Sequence, residues 1–331
     1  MGNLRLTLAT SEYDHTRDLV TGVVPIEGVD PVWLQLQVEE VFHRFVRHRE
    51  WDVSELSFAK YCALTSQGDR SLIAIPVFTS RVFRHSAMFV RADSGITTPS
   101  QLGGLRIGVP EWVQTAAVWG RGILQHQYGV DLHKVDWFQG GVSHAGRQEK
   151  VAVKLPEGMR LTRMTDRSLN DLLLEGEIDA ILSARPPIAS AAGDGRIVRV
   201  LADARAEEEA YVAQTGVFPI MHTVVIRRDV ADAYPWLPQS LFKAFSQARD
   251  ISIARWRDGA VSRFPVPWHV SFAHESWRKV GQEENPWPYG IEANLTTIDT
   301  FLQYCFEQGV CEKRLSPTDL FAPQVDAGYR D

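Results

Sequence analysis

Cysteine is scarce in this chain. Cys62, Cys305 and Cys311 are the only three in 331 residues, too few and too irregularly spaced for a disulfide framework or a zinc site. Each reads as a small apolar filler of a core. Lysine is scarce too, at seven of 35 basic residues, so arginine carries the positive charge. A guanidinium suits planar carboxylate recognition, although composition bias explains the same ratio. No run of basic residues offsets the net charge of −6, which argues against a nucleic-acid partner. No apolar run reaches the ~18 residues that a membrane span requires. The segment Met1–Thr7 lacks the basic region, apolar core and cleavage site of a signal peptide, and Leu6 breaks the myristoylation pattern. The expected location is therefore cytoplasmic, away from membranes.

The commonest catalytic signatures are absent as well: no G-x-S-x-G elbow, no phosphate-binding G-x-x-x-x-G-K-[ST], no H-E-x-x-H. Gly120-Arg-Gly-Ile-Leu-Gln125 begins like a dinucleotide fingerprint but ends in Gln inside an expected helix. No two of the ten histidines are spaced as paired metal ligands on one helix face. No cofactor is assigned, and a divalent metal assembled from distant residues stays open.

What is present is an ordinary globular composition, 44% hydrophobic with ten tryptophans, long enough for two domains. Strands are expected at Leu4–Ala9, where Leu alternates with Arg and Thr, at Val53–Phe58, at the nearly continuous apolar run Leu72–Val77, and at Ala87–Val90. Asp30 followed by Pro31 has the form of a helix start, with Leu34, Val38, Val41 and Phe45 as one buried stripe. Around Ile96–Gly104 the texture becomes that of a linker. A second α/β unit follows, with strands at Arg106–Val109 and Ile178–Ser183 and a helix across Val113–Gln127. An apolar return segment, Val217–Arg227, leads into a helical C-terminal third. Alternation of this kind argues for α/β architecture with covered sheets.

That order, carried by Pro99-Ser-Gln-Leu-Gly-Gly-Leu-Arg-Ile-Gly-Val109, Leu172-Leu-Leu-Glu-Gly-Glu-Ile-Asp-Ala180 and the return strand near Thr223–Ile226, resembles the two-lobed type II periplasmic-binding-protein fold. The resemblance implies a second lobe inserted into the first and a ligand cleft between them. Lobe I is expected over 1–95 and 220–331, lobe II over 96–219. A narrower resemblance rests on Trp51-Asp-Val-Ser-Glu-Leu-Ser-Phe58, Phe83-Arg-His-Ser86, Pro110-Glu-Trp-Val-Gln-Thr-Ala116, Gly216-Val-Phe-Pro-Ile-Met-His-Thr223, Asn285-Pro-Trp-Pro-Tyr-Gly-Ile-Glu-Ala-Asn294 and Glu307-Gln-Gly309. Together these look like the 4,5-dihydroxyphthalate decarboxylase family, from Leu4 to about Ala322.

Strand ends facing such a cleft are where α/β sheets bind ligands. Ser11, Tyr13 and Asp14 follow the first strand. Glu55 and Ser57 lie in the second, with Lys60 and Tyr61 just after it. Arg81, Arg84 and His85 are either a solvated loop or an anion site in which two guanidiniums favour the neutral imidazole. Trp112, Gln114 and Thr115 sit where backbone N–H groups can hold a carboxylate, or simply cap a helix. Arg185 is a rim charge or a second carboxylate fork. His222 is a lobe-crossing imidazole or a core histidine.

The resemblance implies a carboxy-lyase acting without oxidation on a dihydroxyphthalate-like dianion in aromatic catabolism, giving protocatechuate and CO2 from 4,5-dihydroxyphthalate. Such chemistry needs a base, a carbon-directed acid and a grip on the retained carboxylate. His85 and His222 are the expected proton-handling pair, with Glu55 as alternative acid. Ser11, Arg81, Arg84, Trp112, Gln114, Thr115 and Arg185 are the expected substrate contacts. The partner would be a small aromatic dicarboxylate, and a homo-oligomer stays open. The alternative is a non-catalytic solute-binding protein of the same fold for an anionic aromatic or small organic ligand, against which the absent signal peptide counts. A pyrimidine-forming enzyme of this fold ranks last, because its Cys-rich motif has no counterpart.

Overall fold

The computed structural model describes residues 2–325. Their strands are β1 (Leu4–Thr10), β2 (Val29–Gln35), β3 (Val53–Ser57), β4 (Leu72–Arg81), β5 (Met88–Arg91), β6 (Arg106–Val109), β7 (Asp136–Gln139), β8 (Arg160–Arg163), β9 (Ala180–Leu182), β10 (Ile197–Arg199) and β11 (Ile220–Arg227). They form two mixed sheets, ordered β2-β1-β3-β11-β4 and β10-β5-β9-β6-β7-β8. β1 is parallel to β2 and β3, whereas β11 returns antiparallel between β3 and β4. The second sheet is thus an insertion into the first, with two crossings of the chain.

Two expectations need correction. The Asp30-Pro31 pair opens no helix: it lies in β2, and the helix begins at Val38. β2 is an edge strand hydrogen-bonded only to β1, a place where the missing N–H of Pro31 costs no ladder bond. The lobe division at 95/96 also misses the sheets. Met88–Arg91 pairs antiparallel with β9 and β10, so by sheet membership the first crossing lies between Arg81 and Met88.

One apolar core, including Leu8, Phe45, Val77, Ile107, Trp119 and Val225, runs through both lobes. The three cysteines meet inside it, with thiol–thiol contacts from Cys305 to Cys62 and Cys311. The C-terminal helix Leu295–Glu307 packs on the helix Thr115–His126, where the Trp119 ring sits 5.0 Å from Phe301 and 5.6 Å from Tyr304. Gly122 permits this approach, because a Cβ there would stand 2.0 Å from the Tyr304 ring. Gly122→Ala gains ~1 kcal/mol of helix propensity but overpacks the seam at a cost of about 1–3 kcal/mol. Net destabilisation is expected in urea unfolding, and a variant more stable than the parent would contradict this packing.

The crossings are pinned by named groups. Trp119 Nε1–H donates to the Ile220 carbonyl at 2.9 Å. The buried Arg81 guanidinium donates to the carbonyls of Phe218 (3.2 Å) and Pro288 (2.9 Å) and to Asn294 Oδ1.

Candidate active site

A cleft of about 800 Å³ opens between the two sheets. Lobe I contributes Lys60, which follows β3, together with Arg84, Met221 and His222. Lobe II contributes Gln114 and Thr115 after β6, the loop 141–147 after β7, and Ser183–Pro186 after β9. Among the described residues its lining carries Lys60, Arg84, Arg147, Lys150 and Arg185 against Glu39, and buried Glu111 behind the wall adds a second carboxylate, so cations still outnumber acids. In a chain of net charge −6, this is a local reversal of sign that attracts anions.

At the lobe I wall, His222 and Glu55 form a dyad. They are diagonal neighbours on one sheet face: His222 pairs with Ser57 in the β3–β11 ladder, two residues from Glu55. The inaccessible Glu55 carboxylate accepts from His222 Nδ1–H (2.7 Å), Tyr13 Oη–H (2.6 Å), Thr79 Oγ1–H (2.9 Å) and the Ser11 N–H (2.8 Å). Burial alone would raise its pKa. The donors, His222 foremost, outweigh burial and hold the carboxyl below its ordinary value. An ionised Glu55 fixes the proton of neutral His222 on Nδ1, so Nε2 is an acceptor, and no protein hydrogen bond occupies it among the described residues. Phe42 stands edge-on against the imidazole at 4.9 Å and limits its tilt.

Arg84 presents the clearest anion-seeking group. Its Nε and Nη2 point at the Met221 sulfur (3.2 and 3.0 Å), and among the described residues no carboxylate stands within ion-pair distance, Glu208 acting on it only from farther away. Burial lowers its pKa to about 10, so it stays charged at neutral pH. A guanidinium facing a weak thioether acceptor has most of its hydrogen-bonding capacity unspent.

Sequence reasoning missed the strongest electrostatic cluster. Fully buried Glu111 gathers Lys60 (2.7 Å), Arg147 (2.7 Å) and Lys150 (3.3 Å), three cations on one carboxylate. The available signal was Lys60 itself, a lone lysine inside the apolar run Phe58–Leu64. The Lys60–Glu111 pair also ties the lobes, as does Thr115, whose hydroxyl meets Ser57 Oγ (2.9 Å) and accepts from the Ala59 N–H (3.0 Å). At the rim, Glu39 bridges Arg147 (3.4 Å) and Arg185 (3.6 Å).

Of the expected residues, Arg84, Gln114, Thr115, Arg185 and His222 line this cleft, with Glu55 beneath His222. Ser11 lines a separate cavity that shares His222. Three residues lie outside. His85 is fully buried, bonded through Nε2 to Gln127 (2.8 Å) and packed on Tyr211, so the expected pairing with His222 does not form. Arg81 spends its two terminal amino groups on the crossing. Trp112 is fully buried under the Arg121 guanidinium, 3.8 Å from its ring centre. The backbone N–H groups of Trp112 and Val113 already hold Glu149 Oε2, at 2.5 and 3.1 Å. No group of three or more His, Cys, Asp or Glu among the described residues is arranged to hold a metal ion. Nor is any described helix long and apolar enough to cross a membrane.

Two mixed sheets joined by two crossings around an anion-attracting cleft define a periplasmic-binding-protein-like fold. Solved structures agree on that fold. The periplasmic aliphatic sulphonate binding protein SsuA of Escherichia coli is similar over 97% of this chain and 98% of its own, at 11% identity and TM-score 0.53. The alkanesulfonate-binding protein SsuA of Xanthomonas axonopodis pv. citri, bound to MOPS, is similar over 98% of both chains, at 14% identity and TM-score 0.51. No family model matches the chain. Curated relatives are more specific. The chain is 38% identical over 324 residues to the 4,5-dihydroxyphthalate decarboxylase of Comamonas testosteroni, covering 98% of each. It is 39% identical over 198 residues to that of Pseudomonas putida, covering 60% of this chain and 77% of the relative. The chain belongs to the 4,5-dihydroxyphthalate decarboxylase family.

Proposed function

We propose that the cleft binds 4,5-dihydroxyphthalate and releases protocatechuate and CO2. The observation that carries this reading is one cleft holding both a surplus of cations and an imidazole held through Nδ1 by a buried carboxylate, with its Nε2 left free to accept. In this substrate each carboxylate lies para to a hydroxyl. His222 Nε2 takes the proton of that hydroxyl, and the oxygen's electron density moves to the carboxylate-bearing carbon. An acid protonates the carbon, the C–C bond to the carboxylate breaks, and its electron pair restores the aromatic ring as CO2 leaves. Protonated His222 then returns its proton to the phenolate oxygen, so the cycle consumes one proton overall. The reacting oxygen and carbon lie across the ring from each other, and a second donor is required. His144, on the loop after β7, is the other imidazole lining the cleft and takes the role that His85 is too buried to fill. The retained carboxylate pairs with Arg84, while Lys60 and Lys150 neutralise the departing one until the bond breaks.

The non-catalytic binder of the same fold is set aside, because the decarboxylase relative spans the whole chain. Incubation with 4,5-dihydroxyphthalate should yield protocatechuate and CO2 in equal amounts, and a chelator arm reads any requirement for a divalent metal. Phthalate, which has no hydroxyl to deprotonate, should bind and remain intact. Unchanged 4,5-dihydroxyphthalate would overturn the reading. Arg84→Lys keeps the charge but loses the planar fork, weakening phthalate binding by about 1.5–3 kcal/mol, and Arg84→Ala should be worse. Calorimetric titration with phthalate checks this; equal affinity in all three proteins would place the carboxylate elsewhere.

A further inference from the structure

His222 is shared by two cavities of opposite electrical character. Besides the cationic cleft, it lines with Val38 a second cavity of about 630 Å³. The other walls of that cavity include Ser11 and Tyr13 after β1, Gln35 of β2, Gln37 and Ser80 of β4. Among the described residues no lysine or arginine lines it, and its charged lining groups are Glu12 and Glu40. The backbone is irregular at the shared wall. From His222 to Val224 β11 advances two residues, while the β4 partner jumps from Ser80 to Ile75. Bulged register of this kind re-aims side chains beside functional sites, and it sets Ser80 opposite His222.

4,5-Dihydroxyphthalate is polarised in the same sense: two carboxylates on one edge of the ring, two neutral hydroxyls on the opposite edge. We infer that the second cavity is the diol subsite, an inference that rests on the proposed decarboxylation. The hydroxyl edge enters it with Ser11, Gln35 and Ser80 as hydrogen-bonding partners, and His222 stands at the hydroxyl to be deprotonated. Glu12 and Glu40 accept from hydroxyls but repel carboxylates, so a ring inserted the other way round meets like charge with no counter-ion. The two cavities therefore select both the substituents of the ring and its orientation. Tyr13 does not contact the diol in this scheme, because its hydroxyl is committed to Glu55.

Two probes separate the halves of the site: 4,5-dihydroxyphthalate, which has both edges, and phthalate, which has only the carboxylate edge. Ser80→Ala and Gln35→Ala lie on different strands, so a folding defect in one leaves the other to decide. Each should raise the Kd for 4,5-dihydroxyphthalate roughly 3- to 10-fold, the effect of one neutral hydrogen bond, while phthalate affinity stays within about twofold. Arg84→Ala should weaken both probes in parallel. Equal loss for both probes in the Ser80 and Gln35 variants, or no loss for either, would overturn the diol subsite. A parent protein that binds 4,5-dihydroxyphthalate without releasing protocatechuate would overturn the reaction instead, and the difference between the probes would still decide the subsite.

Discussion

Replacing His222 by Gln is expected to lower turnover of 4,5-dihydroxyphthalate by ~10²–10⁴ while substrate affinity stays within about tenfold. Gln retains a hydrogen-bonding group but cannot accept and return a proton near neutral pH. Glu55→Gln should fall in the same range for a different reason. The carboxylate accepts from His222, Tyr13, Thr79 and Ser11 together, and an amide accepts only through its oxygen while its NH₂ faces donors. The imidazole then loses the partner that holds its proton on Nδ1, so Nε2 is no longer fixed as the acceptor. Because Glu55 is held below its ordinary carboxyl value, its stabilising contribution is complete above that ordinary value. It is lost only as pH falls through the depressed one. Acid unfolding should therefore show the parent keeping this contribution below the ordinary carboxyl range and the Glu55 variant lacking it. Steady-state kinetics on both variants, with phthalate binding as the control for site integrity, decide the matter. Parental turnover in the His222 variant would return this histidine to a packing role.

How far the sequence shows this arrangement depends on which physical signal each residue carries. β4 and β9 begin as apolar runs, and buried strands announce themselves that way. β2 does not, because Asp30-Pro31 has the local chemistry of a helix start and only the pairing with β1 overrides it. The strand-end rule located Arg84, Gln114, Thr115 and His222 at the cleft. It failed at neighbours, since successive residues of a strand point to opposite faces. Ser80 lines the second cavity, and Arg81, one residue on, turns its guanidinium into the crossing. Past the end of β6 the turn separates neighbours too: Glu111 meets the cations, and Trp112 goes under Arg121. The dyad itself could not be read locally, because Glu55 and His222 are 167 residues apart and meet only through the β3–β11 pairing.

Glu111→Gln should cause the largest loss of stability, about 3–5 kcal/mol in chemical denaturation. Glu111 is inaccessible to solvent and pairs with Lys60, Arg147 and Lys150, of which Lys60 is itself 3% exposed. Removing the carboxylate leaves that lysine buried beside two further cations without the charge that offsets them. Lys60→Met should cost less, because Glu111 keeps Arg147 and Lys150 as partners. The pH dependence has a definite sign. Burial opposes ionisation of Glu111, but Lys60 and the other two cations outweigh it and hold the carboxyl at about 2 against an ordinary 4.5. A depressed carboxylate contributes its full stability above the ordinary value and loses it as pH falls through the folded one. The parent should thus weaken between about pH 4.5 and 2, with a shallower decline in the Gln variant. A dianion in the cleft supplies the missing counter-charge, so phthalate should raise the unfolding midpoint of the Gln variant by more than that of the parent. A Gln variant with the parent's midpoint, unmoved by phthalate, would mean that the three cations are adequately solvated and that the cleft is not the anion site argued here.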